Sequence, residues 1–509
     1  MLLATVLACL PSFAAVLPQT DDGLPGTRLV GGGGRLPDAA YARFLELAGG
    51  PRARIVLIPT ASATADDPKQ VEATLARWRT DHPGIEISAL HTRDRAQADD
   101  PEFCAPLRAA TGVWLGGGAQ ERLAAAYVGT RVEQELHALL ARGGVVGGTS
   151  AGAAVQTRTM IREGRNPPVL ARGFDFVPGA IVDQHFLARD RLPRLRLALA
   201  ATPGTFGIGI DEGTAVEVRG RTARVLGASR VLFVLPPGAG RAERIVEVVD
   251  GGEVDLITWQ RAACARAGAA WPPAEFAPAR IEAGALLLAG GGRVPDRALA
   301  AFVQLAGGAR AKVVVVADDE GADEGSTPAR LGRLGAEHVT VLACRPPGDD
   351  LRAKLDAATA VWLDALPAWR LVDAFEGEAF AGALRAVLAR GGVVGGSAGG
   401  AAVLGELLLH GDPAGRDVWC EGYDRGFALL AGCAIDARAG ASGRVAELRA
   451  LLARVPAARC LGIEDGGAVV VRGSEAEALG DGAMWFPVGA ETPPQQLAPG
   501  ERIDLARGR

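Results

Sequence analysis

Short runs of consecutive apolar residues alternate along the chain with longer stretches in which apolar and polar residues recur at helical spacing. Ile55–Ile58 has no polar alternation, the pattern of a strand covered on both faces. Val113–Leu115 and Val145–Val146 read the same way. Between these runs, Asp38–Leu47, Val71–Thr80 and Arg131–Arg142 read as helices. Alternating strands and helices predict an α/β fold with a mostly parallel sheet covered on both faces. Such sheets keep their sites at the C-terminal ends of the strands.

The pattern is written twice. Leu29–Ala61 matches Leu287–Asp319, Val113–Leu123 matches Val361–Leu371, and Gly209–Gly220 matches Gly462–Gly473. A repeat this long is a domain duplication, not a solenoid unit. The boundaries read as one domain over 27–260, an Ala- and Pro-rich linker over 261–283, and a second domain over 284–509.

The most informative difference between the copies is one hydroxyl. GGVVGGTSAGAAV at Gly143–Val155 stands opposite GGVVGGSAGGAAV at Gly391–Val403, so Ser150 falls opposite Ala398. A buried apolar run, then a turn of small residues and a helix, is how a strand-to-helix elbow presents a nucleophile. The amide of Ala151, which opens the helix, can face a developing oxyanion.

A serine nucleophile needs a base. In the first copy the candidate is His185, in Ile181–Phe186, where apolar residues give way to polar ones as at a strand end. His82 and His91 lie in polar segments and His137 within a helix. With Asp183 opposite Asp436, His185 falls opposite Arg438. The Gly116–Gly118 turn, a second source of oxyanion amides through Gly117 and Gly118, falls opposite Asp364–Leu366. Serine, histidine and glycine turn are missing together from the second copy, which therefore reads as retired.

Composition narrows the classes. The 509 residues carry a net charge of −5, with scattered arginines and little aromatic interleaving, so nucleic acid is not an expected partner. No apolar run is long enough to cross a bilayer. Residues 1–16 read as a signal peptide without its usual basic start, which predicts export to the periplasm or beyond; a cytoplasmic protein is the alternative. Cys9 is a weak candidate for lipidation. The cysteines at 9, 104, 264, 344, 420, 433 and 460 show no metal-ligand spacing, so a zinc site is not expected. A disulfide in the second half is possible in an exported chain.

The motifs resemble peptidase family S51, in its cyanophycinase-like branch. The resemblance rests on GGTSAGA at Gly147–Ala153, on DQHF at Asp183–Phe186 followed by Arg189, Arg191, Arg194 and Leu195, and on GIGIDEGTA at Gly207–Ala215. It spans roughly Arg28 to Gln260 and, more faintly, the second copy. It implies tandem three-layer α/β/α domains of the flavodoxin-like, class I glutamine amidotransferase type. It also implies a serine exopeptidase with a Ser–His–acid triad and no metal or cofactor. Ser150 would be the nucleophile and His185 the base. The acid would be a Glu between them, for which Glu163 is the candidate and Asp175 the runner-up. Gln120, Asp183, Gln184, Arg189, Arg191 and Arg194 would bind substrate, with the arginines clamping a carboxylate. The implied substrate is a peptide or cyanophycin-like polymer, cut at aspartyl or β-Asp-Arg bonds, or else an α-aspartyl dipeptide. The implied assembly is an intramolecular pseudo-dimer. Two departures stand out: GGGAQ at Gly116–Gln120 places an Ala before the Gln, and the Ser–His loop is short. The other readings are an α/β-hydrolase esterase and a binding protein that has lost turnover.

Overall fold

The computed structural model describes residues 25–318, 323–345, 351–375, 378–441, 443–486 and 493–506. The leader and Cys9 lie outside the described residues. The chain forms two compact units, and the described part of the first ends at Ala269 where the second begins at Ala270.

The first unit is built on an eight-stranded sheet. Its order is Glu86–Ala89, Arg54–Ile58, Gly112–Leu115, Val145–Thr149, Thr27–Gly31, Thr214–Arg219, Thr222–Gly227 and Glu253–Asp255. The first five strands are parallel and the last three antiparallel. Side chains alternate across a strand. Ile55 and Leu57 enter a core with Phe44 and Trp114, while Val56 and Ile58 enter another with Leu115 and Leu136. That double burial is why the run shows no polar alternation. Helices Asp38–Leu47, Pro68–Asp81 and Arg131–Ala141 form where the spacing predicts them.

A four-stranded sheet completes the unit. In it Ala180–Gln184 runs parallel to Phe206–Ile210, followed by antiparallel Arg230–Leu235 and Arg244–Val249. Thr159–Glu163 and Val169–Arg172 form a separate hairpin.

The second unit repeats the eight-strand order: His338–Ala343, Lys312–Ala317, Ala360–Leu363, Val393–Ser397, Ala285–Ala289, Ala468–Arg472, Glu475–Ala478 and Arg502–Asp504. The smaller sheets agree in register too. Asp183 pairs with Gly209, and Asp436 with Gly462, at the same step of two parallel strands.

The linker is shorter than expected. Helix Leu256–Ala267, capped by the Asp255 carboxylate accepting from the Thr258 N–H at 2.8 Å, carries the chain through 261–267. Those residues are proline-free and alanine-rich, a helix-favouring composition that merges with the Pro-rich stretch only from Pro272 onward. Ala279 and Ile281 already belong to the second unit's core. The six described cysteines are free thiols. No helix among the described residues is long and apolar enough to cross a membrane.

Candidate active site

Strand Val145–Thr149 ends at Ser150, and helix Ala151–Ala154 follows at once. Ser150 has φ 53° and ψ −108°, a conformation that side-chain-bearing residues rarely adopt. The tight turn needs its glycines for space. A methyl group on Gly148 would lie 2.4 Å from the Gly152 carbonyl oxygen, and one on Gly152 would lie 2.2 Å from that of Leu115. The turn aims the serine at the base: Ser150 Oγ lies 2.8 Å from His185 Nε2. On the other side of the ring, His185 Nδ1 lies 2.5 Å from Glu212 Oε1.

Glu212 therefore holds the place expected for Glu163. Glu163 ends a hairpin strand and pairs with Arg162 at 2.7 Å, and Asp175 pairs with Arg158 at 2.8 Å. Neither is hydrogen-bonded to His185. The parallel register explains the geometry. Gln184 pairs with Ile210, so the residues just past the two strand ends, His185 and Glu212, emerge side by side.

One tripeptide holds all three segments. The carbonyl of Gly31 accepts the Ser150 N–H at 2.9 Å, that of Gly32 the His185 N–H at 2.6 Å, and that of Gly33 the Gly213 N–H at 3.1 Å. Gly33 has φ +103°, and a methyl group there would lie 2.3 Å from His185 Cε1. The imidazole thus rests directly on backbone. The Gly31–Gly34 run gave no catalytic expectation, although its lack of side chains is what admits the ring.

The expected oxyanion groups gather at the serine. A methyl on Gly117 would lie 3.7 Å from Ser150 Cβ, and Ala151 is the next residue along the chain. Gly118, at φ +139°, passes too close to the Ala61 carbonyl oxygen to carry a side chain. Among the described residues, the N–H groups of Gly117, Gly118 and Ala151 have no acceptor within the protein. Gln120 is buried, and its Nε2 donates to the Ile161 carbonyl at 2.7 Å, so it braces the hairpin.

The arginines divide. Arg194 grips the buried Asp183 carboxylate in a fork, through Nε at 2.7 Å and through Nη2. Arg191 adds an Nη1 contact to Asp183 at 3.3 Å and donates to the Gln184 carbonyl at 2.6 Å. Their anion is internal, which corrects the expectation that they, with Asp183, meet substrate. The cause is burial: Asp183 is 0% exposed, and a carboxylate there needs charged partners. Gln184 is also buried. Arg189 is exposed and, among the described residues, its guanidinium has no partner. It is the cation left for a ligand among those expected to bind one.

His185 is 8% exposed. Burial lowers its pKa, the Glu212 hydrogen bond opposes that, and the charges of Arg189 and Arg191 add to the lowering. The net shift is downward, so the ring is neutral near pH 7 and able to accept a proton. Asp211 fixes the turn after the histidine: its Oδ1 accepts the N–H groups of Leu187 at 3.1 Å and Ala188 at 3.0 Å. Burial raises the Asp211 pKa, but those bonds and one from Ser229 outweigh it and hold the group below the usual range.

The family model for peptidase family S51 matches residues 29–226, the segment that carries Ser150, His185, Glu212 and the glycine turns around them. A cyanophycinase from Geminocystis herdmanii is 34% identical over 201 residues, covering 38% of this chain and 73% of the relative. The chain belongs to peptidase family S51. A cyanophycinase from Synechococcus elongatus is 39% identical over 203 residues, covering 38% of this chain and 62% of the relative, so the match spans about three-fifths of that protein's length. A solved peptidase from an acI-B1 Actinobacterium aligns with 47% of this chain and 98% of its own, at 23% identity and a TM-score of 0.38.

The S51 match ends before the second unit, whose elbow keeps the same shape with Ala398 in place of the serine. Ala398 has φ 49° and ψ −122°, and methyl groups on Gly396 or Gly400 would strike the same neighbours as in the first unit. Arg438 stands where His185 does, and its N–H bonds to Asp436 Oδ1 at 2.9 Å. The loop Asp364–Pro367 closes over the turn: a methyl on Gly399 would lie 2.1 Å from the Leu366 carbonyl oxygen, and Leu366 itself is buried in the core.

Proposed function

We propose that the first unit is a serine exopeptidase of cyanophycinase type, hydrolysing aspartyl or isoaspartyl bonds such as β-Asp-Arg. The observation that carries this reading is the unbroken chain from Ser150 Oγ through His185 to Glu212, at 2.8 and 2.5 Å. Ser150 attacks the scissile carbonyl while His185 Nε2 takes its proton. Glu212 holds the ring in the required tautomer and stabilises the imidazolium that forms. The amides of Ala151 and of the Gly117–Gly118 turn face the tetrahedral oxyanion. His185 then passes its proton to the leaving amine, and water resolves the acyl-enzyme by the same route. Arg189, exposed beside the histidine, is suited to a substrate carboxylate.

The reading extends to the second unit as a non-catalytic repeat that stands in for a partner subunit. An isolated first unit, residues 25–269, is then expected to self-associate; a well-behaved monomer would count against the pseudo-dimer.

The deciding test is fluorophosphonate labelling of the pure protein and of Ser150→Ala. It is joined by mass spectrometry of products from cyanophycin, β-Asp-Arg-capped peptides and α-aspartyl dipeptides. Labelling at Ser150 with release of β-Asp-Arg supports the proposal. Turnover of α-aspartyl dipeptides alone moves the substrate to that class. Neither labelling nor turnover leaves a peptide-binding protein.

A further inference from the structure

The position of Asp183 has a second life in the second unit. Counting without a gap from Asp436, Arg444 stands where Arg191 does, and Glu447 where Arg194 does. Both pairs lie at or within the helix that follows the strand, Leu192–Ala201 in one unit and Arg444–Arg454 in the other. The residue that grips the buried aspartate has thus become a second carboxylate. Asp183 with two guanidiniums carries a balance of one positive charge; Asp436 and Glu447 with one guanidinium carry one negative charge.

Asp436 is 5% exposed. Its Oδ1 accepts the Arg438 N–H, but Oδ2 is buried with no hydrogen bond, and the nearest cation, Arg444 Nη1, is 3.6 Å away. A buried carboxylate oxygen left without a donor is costly. A third group converges on it. His410, at φ 56° and anchored by its N–H to the Val418 carbonyl at 2.7 Å, places Nε2 2.8 Å from Glu447 Oε2. One ligand atom from each of His410, Asp436 and Glu447 falls within 4.8 Å of the other two.

We propose that His410, Asp436 and Glu447 form a divalent-metal site of the second unit, taking Mn2+ or Zn2+. One imidazole and two carboxylates suit those ions, and three protein ligands leave positions for water or a small anion. The ion supplies the charge that Arg194 supplies to Asp183, and it ties the His410 loop to helix Arg444–Arg454. The three ligands come from three separate segments, at intervals of 26 and 11 residues, so no compact ligand motif marks them in the sequence.

The full chain is titrated with Mn2+, read by the electron paramagnetic resonance of the free ion, and with Zn2+ by calorimetry. One ion per chain is expected. His410→Ala and Glu447→Gln should each weaken binding at least about 10-fold. Glu447→Arg restores the Asp–Arg pairing of the first unit, so it should abolish binding while the metal-free melting temperature is kept. Failure of the wild-type chain to bind either ion overturns the site. So does binding that survives both His410→Ala and Glu447→Arg unchanged. Loss of folding in Glu447→Arg leaves His410→Ala to decide.

Discussion

The two elbows differ far less in backbone than in what faces them. Ser150 and Ala398 share a rare conformation to within a few degrees of φ, at 53° and 49°, and their flanking glycines avoid the same carbonyls. The glycines of a G-x-S-x-G turn therefore report how a strand meets a helix in this fold, and not whether chemistry happens there. Chemistry depends on the contents: a hydroxyl, an imidazole set against it, and a glycine turn held open. In the second unit a methyl, a guanidinium and a loop led by buried Leu366 occupy those places. A turn costing about 1–3 kcal/mol of backbone strain has been kept with no nucleophile to present.

The largest effect that tests this contrast is removal of the serine or its base. Ser150→Ala or His185→Ala should lower kcat by about 10^4–10^6-fold, whereas Ala398→Ser should gain no fluorophosphonate label. A labelled Ser at 398 would break the comparison. Next, Glu212→Gln should cost about 10^4-fold in kcat, and Glu163→Gln should leave turnover near that of the wild type. Equal losses would return the acid to doubt.

Gly33→Ala comes third. It drives a methyl into the His185 ring and should cost about 10^2-fold through misplacement, while Gly291→Ala in the second unit should leave turnover unchanged. Smaller still, Ala398→Gly should stabilise the second unit by about 1 kcal/mol, net of the entropy that glycine loses on folding. Calorimetry should register that as a rise of about 2–4 °C in its melting temperature.

The smallest effect is on pH. Only neutral His185 can take the serine proton, so kcat/KM falls as pH drops through its pKa. That pKa is lowered, so the acid limb should lie below the usual histidine value of about 6.5. Removing the repulsion of Arg189 in Arg189→Ala should move the limb to higher pH. Removing the Glu212 hydrogen bond acceptor should move it lower.

Much of the scaffold was legible. Ile55–Ile58 has only apolar residues because both of its faces are covered, and Asp38–Leu47 carries its periodicity intact. Ser150 and His185 could be found because the second copy lacks both. Glu212 was hidden for a reason of topology. It sits inside a motif that the family resemblance includes, yet only the parallel pairing of two strands places it against His185, and pairing partners leave no mark on local pattern. The repeat could not expose it either, since the second copy retains a carboxylate there, Asp465. Arg191 and Arg194 misled for a related reason. An arginine that binds a ligand and one that neutralises a buried aspartate look alike in sequence, and burial alone separates them.

The tripeptide Gly31–Gly33 makes Ser150, His185 and the Glu212–Gly213 turn a single cooperative element. Because consecutive carbonyls hold the amides of Ser150, His185 and Gly213, an opening that frees one must strain the other two. Their amide hydrogens should then exchange with solvent at one shared rate, although the residues lie far apart along the chain. The Ser150, His185 and Glu212 segments would be assembled, and lost, together.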